Sequence, residues 1–506
     1  MKMKKYEWMR NDTAAIMFSA IDDSCNSRIF RISAVFKDEE IDPERLEKAV
    51  KLTMPRYPIC MYRNKKGFFW TYLEKTDSLP SVMPEEYCPA VLRRLGRFGK
   101  PEMVFLYHKR RISIEASHIY GDGTGFLEIL KSVIAQYMVL GGIDRSDFPG
   151  IRFGDDIPSE TEMENPYIHY KTDEKIEKLH RDKAYILPRN FDDNYQNYLN
   201  GLINTEILKS VCKEKNVTIT EFLNAVLILS MIKTEEKLIN DTIIIDVPCN
   251  IRKIFPTDSI RNFSSSVPVH FAPQGRREYS LDDIIEATRG QLKKYNCKDT
   301  HQAFINSNYA LTENKLLQPF PYFIKKPVIN KMQKKSHNTE MTVLFSNMGN
   351  VVLPQIMHEK IERFDFVGGD ARVYDMPLFC SAIGFNGYMN MSFNLSGKDR
   401  SIPREFFRTL TSMNIPVRIE SSEENGVEDK TEAAPKMCDK CGVRIGEEYS
   451  RCPLCDSEPT KTDSKDEYFK TALYPQPYKK LKHKYSAGVS FDLSLEKLKA
   501  YFILQP

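Results

Sequence analysis

SHIYGDGTG, residues 117–125, joins two different periodicities. Ahead of it, in MVFLYHKRRISIEASH (103–118), Ile112, Ile114 and Ala116 alternate with Ser113, Glu115 and Ser117. That is the period of a half-buried strand, and the segment predicts a hairpin. Behind it, Phe126, Ile129, Leu130, Val133, Ile134 and Tyr137 share one face of a helix from about Gly125 to Leu140, which Gly141-Gly142 ends. The nonamer is therefore a strand–turn–helix junction. His118 closes the strand with the parity of its apolar face, a position suited to a general base with one ring nitrogen free. Asp122 lies one tight turn away, too local to orient the imidazole. A structural role is more natural, and a buried carboxylate then needs a cation or several donors. Gly121, Gly123 and Gly125 would permit the backbone of a sharp turn. The plain alternative is a turn whose histidine bonds a carbonyl.

Outward from this junction, strands and helices alternate without an internal repeat. Asp42-Pro43 caps a helix carrying Leu46, Ala49, Val50 and Met54, stopped by Pro55. KKGFFWTYLE (65–74) reads as a turn and an aromatic strand. Residues 143–180 are polar and broken by prolines, as a crossover between lobes would be. Thr218 and Glu221 form a capping box before the apolar helix FLNAVLILSMI. TIIIDVP (242–248) and MTVLFSN (341–347) read as strands, SLDDIIEATRGQLKKY (280–295) as one capped helix, and FFRTL (406–410) as part of a late helix.

The chain has 506 residues, enough for about three domains. Seventy-three basic against 69 acidic side chains leave a formal charge of +4, which argues against a polyanion-binding protein, so no nucleic-acid partner is expected. The 29 Phe and 25 Tyr argue against disorder as the main state. The longest apolar run, Phe222 to Ile232, falls short of the ~20 residues of a membrane span. Glu7, Arg10 and Asp12 interrupt the start before any apolar run, so no cleaved signal is expected. Seven scattered cysteines (Cys25, Cys60, Cys88, Cys212, Cys249, Cys297, Cys380) read as small core residues in a reducing, cytoplasmic setting. His108, in an exposed basic turn, and His270 and His301, with no ligand nearby in sequence, read as surface or structural residues.

The H-x-x-x-D-G spacing of His118, Asp122 and Gly123 resembles that of the CoA-dependent acyltransferase superfamily, which includes chloramphenicol acetyltransferase, peptide-synthetase condensation domains, wax-ester synthases and alcohol acetyltransferases. The bacterial alcohol acetyltransferase group is the nearest likeness. Supporting segments are Trp8 with Asp12, FRISAVF (30–36), RYPICMYRNKKGFFWTYLE (56–74), HIYGDGTGFLEILKSVIAQY (118–137), DVPCNIRKIFPTDSIRNF (246–263) and LFSNMGNVVLP (344–354). The likeness spans roughly residues 1–420. It implies an α/β fold of two chloramphenicol acetyltransferase-like lobes, a pseudo-dimer with a tunnel between them. It implies acyl-CoA as co-substrate, an alcohol or amine acceptor, and His118 as the base that deprotonates it. Asp122 matches the structural aspartate that pairs with an arginine, for which Arg252 is the first candidate and Arg261 the second. Ser346 and Asn347 match the segment that borders the active site and are candidate oxyanion donors. Condensation domains usually carry two adjacent histidines. Ser117 occupies the first of those positions, which leans away from a peptide-synthetase role.

Cys438-x-x-Cys441, ten residues, then Cys452-x-x-Cys455 is a four-thiolate metal pattern. It suits structural Zn²⁺ and resembles a zinc ribbon; rubredoxin-type iron would use the same sulfurs. The expected organisation is a first lobe at 1–180, a second at 181–420, an acidic linker at 421–435, a ribbon at 436–460 and a lysine-rich tail at 461–506. The tail holds the amphipathic LSLEKLKAYFIL (493–504), from which membrane attachment cannot be assigned. The leading expectation is transfer of an acyl group, acetyl in the first instance, to an alcohol. The alternatives are condensation from a carrier-bound thioester and an inactive scaffold that docks a protein partner through the ribbon.

Overall fold

The computed structural model describes residues 7–20, 28–85, 99–177, 179, 182–191, 197–238, 240–276, 278–313, 318–369, 376–421, 436–446 and 449–461. Most of the acidic linker, the tail beyond 461 with its amphipathic segment, Cys25 and Cys88 lie outside them.

The first half runs β1 (Trp8–Arg10), α1 (Thr13–Ala20), β2 (Ile29–Phe36), α2 (Pro43–Thr53), β3 (Tyr62–Lys66), β4 (Thr71–Lys75), β5 (Ser81–Pro84), β6 (Met103–His108), β7 (Arg111–Ser117) and α3 (Gly123–Leu140). The second half contributes β8 (Asn197–Asn204), α4 (Ile219–Thr234), β9 (Ile243–Asn250), β10 (Ser264–Phe271), α5 (Tyr322–Glu340), β11 (Val343–Asn350), β12 (Ile361–Val367), β13 (Leu378–Phe385), β14 (Tyr388–Leu395), α6 (Ser401–Ser412) and β15 (Val417–Ser421). Three two-residue strands follow: β16 (Lys436–Met437), β17 (Arg444–Ile445) and β18 (Thr460–Lys461). Local chemistry sets several of these bounds. Asp42 accepts from the Glu44 and Arg45 amides at the head of α2, and Thr218 with Glu221 closes a capping box on α4. The expected helix over 280–295 is two helices, Leu281–Thr288 and Gln291–Tyr295, because Gly290 between them takes φ +75°.

The strands form a five-stranded sheet, β12–β2–β7–β6–β5, a ten-stranded sheet, β10–β9–β11–β13–β14–β8–β15–β17–β16–β18, and a small sheet of β1, β4 and β3. β12 belongs by sequence to the second half, yet it pairs antiparallel with β2 from Ile361↔Phe36 to Val367↔Arg31. Each large sheet keeps one apolar face under its helices. Ile112, Ile114 and Ala116 of β7 join a core with α2 and α3, and Leu199, Met391 and Ile419 join another with α4 and α6.

β7 is buried along its whole length, not on one face as its alternation suggests. Its polar face turns toward the second sheet, where charge is paired instead of solvated. Arg31 meets Glu85 at 2.7 Å and also Glu115, and Arg111 Nε meets Glu85 at 2.9 Å. Across the sheets, Arg363 of β12 donates to Glu420 of β15 at 2.7 Å, and Asn390 of β14 to Asp365 of β12 at 2.6 Å. Buried ions persist only when so compensated.

The segment expected as a polar crossover is largely exposed and is anchored at a few points. Phe148 and Phe153 enter the first core, and Glu162 makes a bidentate pair with Arg56 at 2.6 and 2.7 Å. The four-cysteine segment is not a separate bead. β17 runs parallel to β15, and Cys438, Cys441 and Cys452 lie in the second lobe's core. Thr411 of α6 donates to the Cys441 carbonyl at 3.0 Å. Among the described residues no single helix is long and apolar enough to cross a membrane.

Candidate active site

β7 stops at Ser117, and His118 is pinned from both sides of its backbone. Its amide donates to the Arg28 carbonyl at 2.7 Å, and its own carbonyl accepts from Asn262 Nδ2 at 2.7 Å. The ring lies flat against Phe18 of α1, centroids 4.6 Å apart and planes 14° apart, and meets Phe30 of β2 at 4.5 Å. Nδ1 is buried without a hydrogen bond of good geometry among the described residues, while the residue as a whole keeps partial exposure. Burial between the phenyl rings pushes the imidazole down to about 4. The Asp122 charge, Asn262 and the Gly121 backbone oppose that shift without reversing it. At neutral pH His118 is therefore uncharged, the form a general base requires.

Asp122 turns away from the imidazole. Oδ1 caps α3 by accepting from the Gly125 amide at 3.1 Å, while Oδ2 accepts from the Phe263 amide at 2.9 Å and from Arg252 Nη1 at 2.8 Å. Arg252 spends its remaining donors on its own loop, Nε on the Ser259 carbonyl at 3.1 Å and Nη2 on the Arg261 carbonyl at 2.5 Å. Arg261, the second candidate, is engaged elsewhere: its Nε faces Asp12 Oδ2 at 3.3 Å and its guanidinium donates to the Arg10 carbonyl at 3.2 Å. The junction of the first lobe is thus tied to the loop between β9 and β10 of the second.

None of the three motif glycines has a positive φ, so a sharp turn is not what requires them. Gly121 and Gly125 are needed for close approach. A Cβ on Gly121 would lie 2.6 Å from the Ile260 carbonyl oxygen, and one on Gly125 would overlap that same oxygen. Gly123 differs, since a Cβ there would meet only the end of Met348 at 3.4 Å. Met348 follows Ser346 and Asn347 on β11, so this strand end comes to the turn. Asn347 has its amide committed, Nδ2 to Thr220 Oγ1 at 3.1 Å and Oδ1 to the Gly349 amide at 2.9 Å. Ser346 is half-buried opposite Ser381 of β13. Neither hydrogen-bonds His118.

Two participants escaped the sequence reading. Asn262 links Asp12 (3.1 Å to Oδ2) to the His118 carbonyl, and Phe18 forms one wall of the imidazole slot. Asn262 sits inside the quoted IRNF stretch, but nothing local marks it. Phe18 carries no signal beyond helical spacing. His108, His270 and His301 stay apart from the site. His108 is half-buried, not exposed; burial beside Arg111 pushes it down to about 4. His301 is fully buried against Asn296 at 2.7 Å, and His270 faces Asp182 at 3.5 Å. Of the scattered cysteines, Cys60, Cys212 and Cys380 are buried, Cys249 is half-buried and Cys297 is exposed. A cleft lined by Leu187, Glu235 and Asp399 and another by Glu47, Leu79 and Lys100 both lie away from His118.

The four sulfurs of Cys438, Cys441, Cys452 and Cys455 all lie within 4.8 Å of one another, with Cys438 and Cys455 at 3.5 Å. A tetrahedral Zn²⁺ with bonds of about 2.3 Å needs sulfurs about 3.8 Å apart. The cluster fits such an ion, and four thiolates leave it no open position.

Among solved structures the chain is similar to the epimerization domain from the third module of tyrocidine synthetase B, at 13% identity and TM-score 0.52, over 80% of this chain and 96% of that one. It is similar to TRI3 trichothecene 15-O-acetyltransferase from Fusarium sporotrichioides, at 12% identity and TM-score 0.51, over 81% and 97%. It is also similar to F. graminearum TRI101 complexed with coenzyme A and T-2 mycotoxin, at 10% identity and TM-score 0.51, over 82% and 99%. At these identities the likeness shows the fold, the two-lobed α/β architecture of chloramphenicol acetyltransferase type. No protein-family model and no curated protein sequence matches the chain.

Proposed function

We propose that the protein is an acyltransferase that moves an acyl group, acetyl in the simplest case, from a CoA thioester to an acceptor hydroxyl. The observation that carries this reading is the division of labour at the junction. His118 is neutral and partly exposed at the end of β7, while the nearby carboxylate of Asp122 is fully used by Arg252, Phe263 and Gly125. Folding alone has no need of an imidazole in that slot.

In the proposed reaction an acceptor O–H approaches Nε2 of His118, since Nδ1 is buried. The nitrogen takes the proton as the oxygen attacks the thioester carbonyl. The tetrahedral oxyanion is met by a hydroxyl donor, for which Ser346 is better placed than Asn347 because the Asn347 amide is already bonded. Collapse breaks the C–S bond, and the imidazolium returns the proton to the leaving thiolate. No covalent enzyme intermediate is needed, and positioning in an interlobe tunnel would supply much of the rate. CoA as donor is supported by the CoA complex of the structural neighbour TRI101. An amine acceptor would use the same proton path.

Zn²⁺, when bound, supplies cross-linking to β16–β18 and thereby to the second lobe. The buried face of the ribbon is turned to its own lobe, which weakens the idea of the ribbon as a dock for a protein partner. A thiolate metal site and unbridged Cys60, Cys212 and Cys380 suit the cytoplasm.

The test is thiol release from a panel of acyl-CoAs, with and without alcohol and amine acceptors. Acceptor-dependent release by the wild type and its loss in a folded His118→Ala variant is the expected result. Equal release from both proteins overturns His118 as base. Release only from acyl-carrier protein replaces CoA by a carrier thioester.

A further inference from the structure

Helix α5 is amphipathic in the wrong sense for a helix facing water. Its buried side holds Tyr322, Lys325 and Ile329, while its solvent side presents Phe323 (70% exposed), Ile324, Pro327, Val328 and Met332. The stripe continues off the helix. The Tyr322 amide donates to the Phe68 carbonyl at 2.7 Å, which sets the β3–β4 turn beside the helix start, with Phe68 66% exposed and Phe69 next to it. Phe320, also exposed, precedes the helix. Scattered exposed apolar residues are ordinary, but a contiguous set of large ones marks an interaction surface.

The formal charge around this face is net positive. Residues 318–340 hold five lysines, of which Lys325 is on the buried side, against one carboxylate, Glu340 at the helix end, and the turn adds Lys65 and Lys66. The acids beside it are paired, Glu313 with Arg10 at 2.5 Å and Glu74 with Arg63 at 2.5 Å and with Lys65 of the turn at 3.7 Å. A second copy of this chain would bring the same lysines against each other. Aromatic and aliphatic side chains flanked by lysine suit the boundary between acyl chains and anionic headgroups, where apolar burial and electrostatic attraction add.

We propose that the face made by Phe68, Phe69, Phe320, Phe323, Val328 and Met332 docks the protein on an anionic lipid bilayer. The attachment is to the surface and goes beyond the proposed reaction, since it stands whatever group His118 acts on. The face is nonetheless mechanically close to the site. Tyr322 Oη donates to the Ser19 carbonyl at 2.8 Å and Gln333 Nε2 to the Met17 carbonyl at 3.2 Å. These bonds bracket Phe18, whose ring lies on His118. A bilayer held by α5 is one helix away from the imidazole slot.

The test uses the full chain and sedimentation with vesicles, an assay independent of any acyltransferase activity. Wild type is expected to bind phosphatidylcholine vesicles carrying about 30% phosphatidylglycerol, more weakly at high salt and on phosphatidylcholine alone. Phe323→Ser with Val328→Ser should weaken binding about tenfold or more. Lys326→Glu with Lys331→Glu should remove the preference for anionic lipid. Circular dichroism verifies that these surface variants fold. Absence of wild-type binding overturns the proposal, and so does binding that all variants share, which would belong to another part of the chain. A wild-type dimer that ignores vesicles and that Phe323→Ser with Val328→Ser converts to monomer assigns the face to self-association, again against the proposal.

Discussion

Arg252 and Asp122 stand 130 positions apart in sequence and 2.8 Å apart in space, the guanidinium of one lobe closing on the carboxylate that caps the helix after His118 in the other. Both side chains are mostly buried. Removing one partner leaves the other charge uncompensated, so Arg252→Met is expected to cost about 3 kcal/mol or more. Chemical denaturation measures it, and an unchanged midpoint would show that the pair contributes nothing net.

His118→Ala is expected to leave the fold intact and lower acceptor-dependent turnover by about 10²–10⁴-fold. In the wild type, kcat/KM should stay flat through neutral pH and fall only as pH approaches about 4, where the imidazole protonates. A limb near the ordinary histidine value would place the ring in water.

The same shift predicts a pH dependence of stability. The folded-state pKa lies below that of the unfolded chain, so between about 6.5 and 4 the unfolded state binds the extra proton. Stability therefore declines as pH falls through that window and is unaffected above it. His108 carries a shift of the same sign, so His118→Phe should reduce the decline and His118→Phe with His108→Phe should reduce it further. Melting curves at several pH values check the slope.

The motif glycines separate by direct substitution. Gly125→Ala forces a methyl into the Ile260 carbonyl and should prevent proper closure of the β9–β10 loop on α3, whereas Gly123→Ala meets only a flexible methionine tip. Expression and thermal melting should show Gly125→Ala severely destabilised and Gly123→Ala near wild type. The reverse order would contradict the packing.

Metal analysis of purified protein should find one Zn²⁺ for each four-cysteine cluster. Because Cys438, Cys441 and Cys452 belong to the second lobe's core, chelation should lower the melting temperature of the whole protein and not release a local segment. A melting curve indifferent to chelation would show the cluster to be an appendage.

Local signals were legible in the sequence, and partners across the chain were not. Asp42 before Pro43, the Thr218–Glu221 box and the change of period at His118 are each written within a few residues. The glycines were noticed for the wrong reason, since turn chemistry is local and the approach of Ile260 is not. Alternation in β7 gave the correct face for Ile112 and Ile114 but could not show that Ser113 and Glu115 also face protein. A polar residue on a strand reads as solvent-facing until a second sheet supplies its counter-charge. Gly290 lies inside the segment read as one helix, and its left-handed backbone, which divides that segment, is a conformation the capped helical pattern does not reveal. Asn262 and Phe18 carry no signature, because only tertiary structure brings them to His118.

The crossing of β12 into the first sheet has a consequence for dissection. A fragment ending near residue 180 would present β2 as a raw edge, a ladder of unpaired amides and carbonyls along Arg31 to Phe36 that invites pairing between molecules. The complementary fragment would carry a strand with no sheet to join. The two lobes resemble each other in architecture yet are laced by one ribbon of backbone, so neither can be made, exchanged or evolved as a free-standing part without first finding a substitute for seven residues of the other.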